Sequence, residues 1–161
     1  MQLRKVAISL IVAASLSTLT ACGAGQNAAS RIITKVTDGA ETTVLTDTSD
    51  LKLRGFLVVA QPDGSAVLVG TIVNSSSTSE EILGISINNV LAKITTDLSE
   101  ISENVPMIFE GDSTNAKAVV AELSAKAGST VDISFFFKTA GIVTVKAIVR
   151  DQRDTYAGVT A

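Results

Sequence analysis

The chain of 161 residues contains no histidine, no tryptophan and only one cysteine. Histidine is the usual general base and a common metal ligand, so its absence excludes a Ser-His-Asp triad and imidazole metal sites. One thiol cannot form an intrachain disulfide or a cysteine zinc cluster. No glycine-rich phosphate loop of the nucleotide-binding types is present either. We therefore expect a protein that is not an enzyme and that carries no cofactor.

The single cysteine, Cys22, directly follows an apolar run. Arg4 and Lys5 precede that run, which is shorter than the roughly 20 residues that a membrane-spanning helix needs. The stretch Leu19-Thr20-Ala21-Cys22 resembles the lipobox of bacterial lipoproteins. The resemblance implies cleavage before Cys22 and its acylation with diacylglycerol, whose two chains suffice for stable anchoring. The alternative is an ordinary secretory leader that happens to contain a cysteine.

The balance of charge restricts the partners. Cleavage before Cys22 would leave 11 basic against 16 acidic residues, a formal net charge of about −5. Nucleic-acid binding requires clustered Lys and Arg, and none cluster here. Anionic lipid headgroups are equally poor partners for this surface. We expect contact with a lipid bilayer through acylated Cys22, an envelope protein as the second partner, and no nucleic acid.

The segmentation of the chain follows from these features. We expect a lipoprotein signal peptide over 1–21, a lipidated N-terminus and flexible tether over 22–40, a β-sandwich over 41–150 and a loose C-terminal tail over 151–161. The anchor would lie on the extracytoplasmic face of a cell membrane. In a host with two membranes, Gly23 after the cysteine resembles the signal for sorting to the outer one.

Alternating apolar residues predict short strands along the body of the chain. Leu51 to Val59 and Ala66 to Val73 flank the turn Gln61-Pro62-Asp63-Gly64-Ser65 and form one hairpin. Val131 to Phe137 and Val143 to Val149 form a second hairpin. The alternation places Leu51, Leu53, Leu57 and Val59 on one face, and likewise Leu83, Ile85 and Ile87. Seven or more short strands with little helix predict an all-β antiparallel sandwich, immunoglobulin-like or cupredoxin-like.

Several acidic pairs lie in the polar segments between these strands. Paired carboxylates can act as an acid and a base or hold a cation, but solvated surface positions are the favoured interpretation for all of them. The pairs are Glu80 with Glu81, Glu100 with Glu103, Glu110 with Asp112, Asp151 with Asp154, and Asp47 with Asp50. No EF-hand spacing occurs among them, so we predict no catalytic residue and no metal ligand.

Parts of the body resemble the periplasmic copper-chaperone-like domain called PCuAC, most closely the version in actinobacterial lipoproteins. The resemblance rests on Phe56 to Asn74, on Leu123 with Gly128, and on Phe135 to Val145. It implies a sandwich fold and, for the family, Cu(I) binding by methionine and histidine. The ligand position falls near Lys117-Ala118-Val119, which contains neither residue type. Met107 is the sole methionine after Cys22 and is expected in the core.

Three functions remain open at this level. The preferred one is a membrane-anchored, non-enzymatic binding or structural lipoprotein that presents the loops Asn74 to Glu81 and Thr95 to Asn104 to an envelope partner. The alternative is a metal-trafficking protein of the PCuAC type with non-standard ligands. The least favoured is a hydrolase that uses loop carboxylates, with Glu110 and Asp112 as its best pair.

Overall fold

The structure is a computed structural model that describes residues 38–161. The predicted signal peptide, Cys22 and most of the tether lie outside the described residues. Among residues 38–161, no helix has the length and apolar character needed to cross a membrane. The same residues contain one short 3-10 turn, Asp154–Tyr156, and otherwise only strands and loops.

Ten strands form two packed layers. The first sheet has the order β5-β4-β9-β10, and the second has β2-β3-β7-β8-β6 with β1 added along β2. The strands are β1 (Ala40–Leu45), β2 (Asp50–Ala60), β3 (Ala66–Asn74), β4 (Ile82–Ile87), β5 (Val90–Leu91), β6 (Lys93–Thr96), β7 (Met107–Phe109), β8 (Ala116–Val120), β9 (Thr130–Phe137) and β10 (Ile142–Asp151). The prediction of an all-β sandwich is confirmed.

Strand β10 belongs to both layers. Its first part, Ile142 to Ile148, pairs antiparallel with β9, and its end, Val149 to Asp151, pairs parallel with β2. Both hairpins expected from the alternation are present, β2 with β3 and β9 with β10. In the first of them, Asp63 Oδ1 accepts hydrogen bonds from Ser65 Oγ (2.7 Å) and Ser65 N (3.0 Å). These bonds lower the pKa of Asp63 and fix the turn.

A bulge in β2 changes which side chains face the core. Register shifts between Arg54 and Leu57, where Gly55 has a φ of 66°. The extra residue directs Phe56 inward and reverses the faces beyond it. Leu57 and Val59 therefore do not share a face with Leu51 and Leu53, and that prediction is wrong.

Two apolar cores result from this reversal. The larger lies between the sheets and includes Phe56, Phe109 and Phe135. The smaller lies on the outer face of the second sheet and contains Leu57, Val59, Val67 and Val159. Val159 comes from the C-terminal segment, whose carbonyl at that residue accepts a hydrogen bond from Gln152 Nε2 (2.6 Å). Val159 therefore packs against this face, because the bulge leaves apolar side chains for it to cover, while most of residues 152–161 are exposed.

A second irregularity affects β4. Register shifts between Ile82 and Gly84, so Leu83 lies exposed while Ile85 and Ile87 are buried. The expected common face of Leu83 with Ile85 and Ile87 is therefore wrong. The predicted turn at Asn88-Asn89 is confirmed, with φ of 51° and 65° at its two residues. Such positive φ values are those of the tight hairpin turn that asparagine tolerates.

Gly70 in β3 gives the first testable prediction. A Cβ at this residue would lie 2.4 Å from Cδ1 of Phe56, and φ is 147°. We expect Gly70→Ala to lower the free energy of unfolding by about 3 kcal/mol or more, because clash and backbone strain add. Urea unfolding of residues 30–161 measures this.

Gly64→Ala is the matched control, since φ is 90° there but nothing lies within 4 Å of the added Cβ. The loss of stability in Gly64→Ala therefore measures the cost of backbone strain without a steric clash. Replacing the ring by Phe56→Leu should reduce the loss of unfolding free energy that Gly70→Ala causes, as a double-mutant cycle would show. Equal losses for Gly64→Ala and Gly70→Ala would contradict the clash.

Candidate interaction surface

Asn74 joins the two loops that the sequence offers to a partner. The side chain is buried, and Nδ2 donates to the carbonyl oxygens of Thr78 (2.7 Å) and Ile101 (3.0 Å). Its Oδ1 accepts from Ser76 N (2.9 Å). One amide thus fixes the loop after β3 against the loop after β6. The second loop begins later than predicted, because Thr95 and Thr96 belong to β6.

Glu80 is the second anchor of the same loops. Its side chain is buried, and the carboxylate accepts from the backbone N–H groups of Thr139 (2.8 Å) and Ala140 (2.9 Å). The backbone of Glu80 also exchanges two hydrogen bonds with Ile101. The interpretation of Glu80 as a solvated surface carboxylate is therefore wrong. It holds the β9–β10 turn against both loops, because a buried carboxylate requires donors of this kind.

The surface around this anchor carries mainly negative charge. Lys138 Nζ lies 2.8 Å from Glu81 Oε2. That hydrogen bond, followed by the charges of Glu81, Glu80 and Glu100, raises the pKa of Lys138. Glu100 and Glu103 are exposed on the neighbouring loop. Residues 75–81, 97–106 and 138–141 together form a polar surface, which we call the loop platform. The buried side chains of Asn74 and Glu80 fix its loops by hydrogen bonds.

In two of the other acidic pairs, one carboxylate has a basic partner. Lys117 Nζ lies 3.7 Å from Glu110 Oε1, whereas Asp112 is exposed. Arg153 Nε donates to Asp151 Oδ2 (2.6 Å), which lowers the pKa of Asp151. Within residues 38–161 no three His, Cys, Asp or Glu residues gather where they could hold a metal ion.

The position that resembles the family's copper-ligand segment lies beside a shallow groove of about 300 Å³. Lys117 lines this groove, while Ala118 is buried in the core. The groove offers hydroxyl, carboxylate, amide and ammonium groups, which are not the soft ligands that Cu(I) prefers. Its lining residues are Thr95, Thr96, Asp97, Glu110, Thr114, Asn115, Ala116 and Lys117. Met107 is buried in the main core, which confirms its predicted packing role.

An apolar strip crosses the outer face of the first sheet and was missed from the sequence. Leu91 is 71% exposed and Ile142 is 70% exposed. Phe136 lies between them, opposite Gly84 on one side and Ile142 on the other. A Cβ on Gly84 would contact both Phe136 and Leu91, at 3.5 and 3.7 Å. Phe136 itself is half-buried, and the side chains of Phe136 and Leu91 both lie beside Gly84.

No protein-family model and no curated protein sequence matches this chain. Solved structures do resemble it. The apo PCuAC domain from PmoF1 superposes with a TM-score of 0.57 at 18% identity, covering 69% of this chain and 98% of that one. The copper-bound PCuAC domain from PmoF2 gives 0.56 at 17%, covering 69% and 97%. The apo PmoF2 domain gives 0.56 at 13%, covering 71% and 97%. The fold is therefore that of PCuAC domains, as the sequence resemblance implied.

The second prediction tests the anchor at Glu80. We expect Glu80→Gln to lower the free energy of unfolding by about 2–3 kcal/mol, because an amide nitrogen would then face backbone N–H donors. Amide hydrogen exchange at Thr139 and Ala140 should accelerate in the same variant. Urea unfolding and exchange measured by NMR provide the two values.

Glu81→Gln is the matched control, since it removes the neighbouring carboxylate, whose ion pair with Lys138 is exposed. Surface pairs of this kind contribute about 1 kcal/mol or less. Similar losses for the two variants would show that Glu80 is no anchor.

Proposed function

We propose that this chain is a lipid-anchored lipoprotein on the extracytoplasmic side of a bacterial membrane, with a non-enzymatic binding role. Acylated Cys22 holds the chain to the bilayer, the tether spaces it, and the sandwich presents a protein-binding surface. The observation that carries the proposal is a PCuAC-type fold whose sole methionine after Cys22 is buried and whose sequence has no histidine. The fold supports a PCuAC-type scaffold. The chain after Cys22, however, has no histidine and no exposed methionine, the residue types with which the PCuAC family binds Cu(I).

The loop platform is the surface that best suits a protein partner. Its loops are fixed by Asn74 and Glu80, so binding would cost little ordering entropy. Glu81, Glu100 and Glu103 give it negative charge, which favours a partner with a basic surface. Capture of a partner equally well by the Glu100→Lys variant would show that the platform is not the site.

The third prediction concerns the anchor. We expect Cys22→Ala to leave the chain unprocessed or released from the membrane, because the acylated sulfur is gone. Detergent partitioning of the full chain, with mass spectrometry of the N-terminal peptide, measures both processing and lipid. Ser30→Ala in the tether is the control and should behave like the parent chain. A Cys22→Ala protein that still partitions into detergent after losing its leader would refute anchoring at Cys22.

The second candidate function is metal trafficking with non-standard ligands. It is favoured by the likeness to a PCuAC domain that was solved with copper bound. Oxygen donors from the groove beside Lys117, or soft donors from a partner, would then complete the site. This candidate differs from the first in requiring that the chain take up the metal in stoichiometric amounts.

The fourth prediction separates the two candidates. A Cu(I) titration of residues 30–161 against a competing chelator should show no stoichiometric binding, because the described donors are hard. Met107→Leu tests the one thioether and should leave the titration unchanged. Tight one-to-one binding would instead place metal trafficking first.

A further inference from the structure

The β5 edge of the first sheet has an unusual backbone geometry. Ala92 N donates to Ile85 O (2.8 Å), and Ile87 pairs with Val90 across the two-residue turn. In an antiparallel pair, hydrogen-bonded positions alternate with positions whose amide groups point outward. Leu91 lies between the two bonded positions. Its N–H and C=O therefore point away from β4, and β5 is the last strand of this sheet among residues 38–161.

The side chain of Leu91 adds an apolar surface to this edge. It lies above Gly84 next to Phe136, and Ile142 continues the strip on the next strand. Solvent-exposed apolar strips beside an open edge are the usual sites of strand addition. Leu91 thus supplies an outward N–H donor, an outward C=O acceptor and an exposed apolar side chain.

Charge distinguishes this edge from the other two that the structure describes. At β1, Arg54 Nη1 donates to Thr42 O (2.7 Å) and Nη2 to Thr43 Oγ1 (3.0 Å). At β6, Lys93 is exposed and charged. Cationic side chains of this kind protect edges from pairing. The stretch 88–92, Asn-Asn-Val-Leu-Ala, carries no charge at all.

The charges that border the apolar strip are already neutralised within the chain. Lys138 pairs with Glu81 (2.8 Å) on one side, and Lys146 pairs with Asp132 (2.8 Å) on the other. Between them lie only uncharged groups, including the hydrogen-bonded hydroxyls of Ser134 and Thr144 (2.9 Å). Two copies of an acidic protein can therefore meet here without opposing like charges.

We propose that a second copy of this chain docks at β5, strand to strand about a two-fold axis, with Leu91 opposite Leu91 of the other copy. A two-fold interface is self-complementary, so each outward N–H of Leu91 meets the outward C=O of its equivalent. The two four-stranded sheets become continuous, and the two Leu91 side chains lie together beside both Phe136 rings. The interface does not depend on the loop platform or on the groove beside Lys117.

Cysteine cross-linking of the full chain in bacterial membranes tests the pairing. Facing residues at a hydrogen-bonded antiparallel position have Cα atoms about 5.5 Å apart, within the range of a disulfide. We expect Leu91→Cys to give a disulfide-linked dimer under mild oxidation. Leu45→Cys is the control, because Leu45 is 76% exposed on the β1 edge. Leu45→Cys should give no disulfide-linked dimer, and neither should the parent chain with Cys22 acylated.

A second measurement uses the detergent-solubilised full chain. Sedimentation should show a dimer for the parent chain and for Leu45→Lys, and a monomer for Leu91→Lys with an unchanged urea midpoint. Equal cross-linking of Leu91→Cys and Leu45→Cys, or a monomeric parent chain, overturns the proposal. Loss of membrane association by Leu91→Lys without any dimer would assign the strip to the bilayer and also overturn it. If Cys22 were not acylated, its free thiol would cross-link the parent chain under the same oxidation. A disulfide-linked dimer of the parent chain would therefore report failed acylation and not pairing at Leu91.

Discussion

The contact between the ring of Phe56 and the backbone of Gly70 is the constraint on which both sheets depend. Phe56 lies edge-on to Phe135 with centroids 4.8 Å apart, and 6.2 Å from Phe109. These rings come from β2, β9 and β7, so the cluster joins the two layers at one point. Edge-to-face pairs contribute about 0.5–1.5 kcal/mol beyond the area that they bury. In a chain with 4% aromatic residues, little else can replace this cluster.

Phe56 reaches that position only because β2 contains a bulge. Gly55 adopts a positive φ, and Gly39 packs so closely that a Cβ on it would lie 2.3 Å from the carbonyl carbon of Gly55. Beyond the bulge, Val58 faces the main core and Val59 faces outward. The outward residues create the small core that Val159 covers. The burial of Val159 is thus a consequence of one irregular position more than 90 residues earlier in the sequence.

The regular parts of the fold follow from the sequence, and the irregular parts do not. Alternation and turn residues suffice for the β2–β3 and β9–β10 hairpins, because both signals are local. The bulge is hidden by the run Gly55-Phe56-Leu57-Val58-Val59, since a continuous apolar run is compatible with either face. The prediction for Leu83 was wrong for another reason, because its exposure depends on the register shift in the pairing of β4 with β9.

The candidate surfaces were harder to predict than the fold. Asn74 and Glu80 are polar residues in a polar stretch, and nothing local marks them as buried. Their partners, Ile101 for one and Ala140 for the other, lie far away along the chain. The apolar strip had one local signal, the alternation that turns Phe136 away from its neighbours. That signal does not reveal whether another element covers the ring, which only the sheet order determines.

The residues on which the likeness to PCuAC domains rests have structural roles in this fold. Gly70 accommodates the Phe56 ring, Asn74 joins two loops, and Gly141 accepts the hydrogen bond from Phe137 N (2.8 Å) that closes the last hairpin. Each acts through backbone geometry or through a buried hydrogen bond, and none offers a soft donor atom. These three residues therefore specify the fold without themselves supplying a Cu(I) ligand.

The ligand of this chain is therefore decided by side chains other than those that specify the fold. Lys117, at the position that resembles the ligand segment, pairs with Glu110 and presents an ammonium group to the groove. A positive charge there opposes a second cation by direct Coulomb repulsion. The Lys117 side chain is 37% exposed and does not belong to the core cluster, whereas the neighbouring Ala118 does. The fold therefore constrains the architecture, while the side chains on its surface decide what is bound.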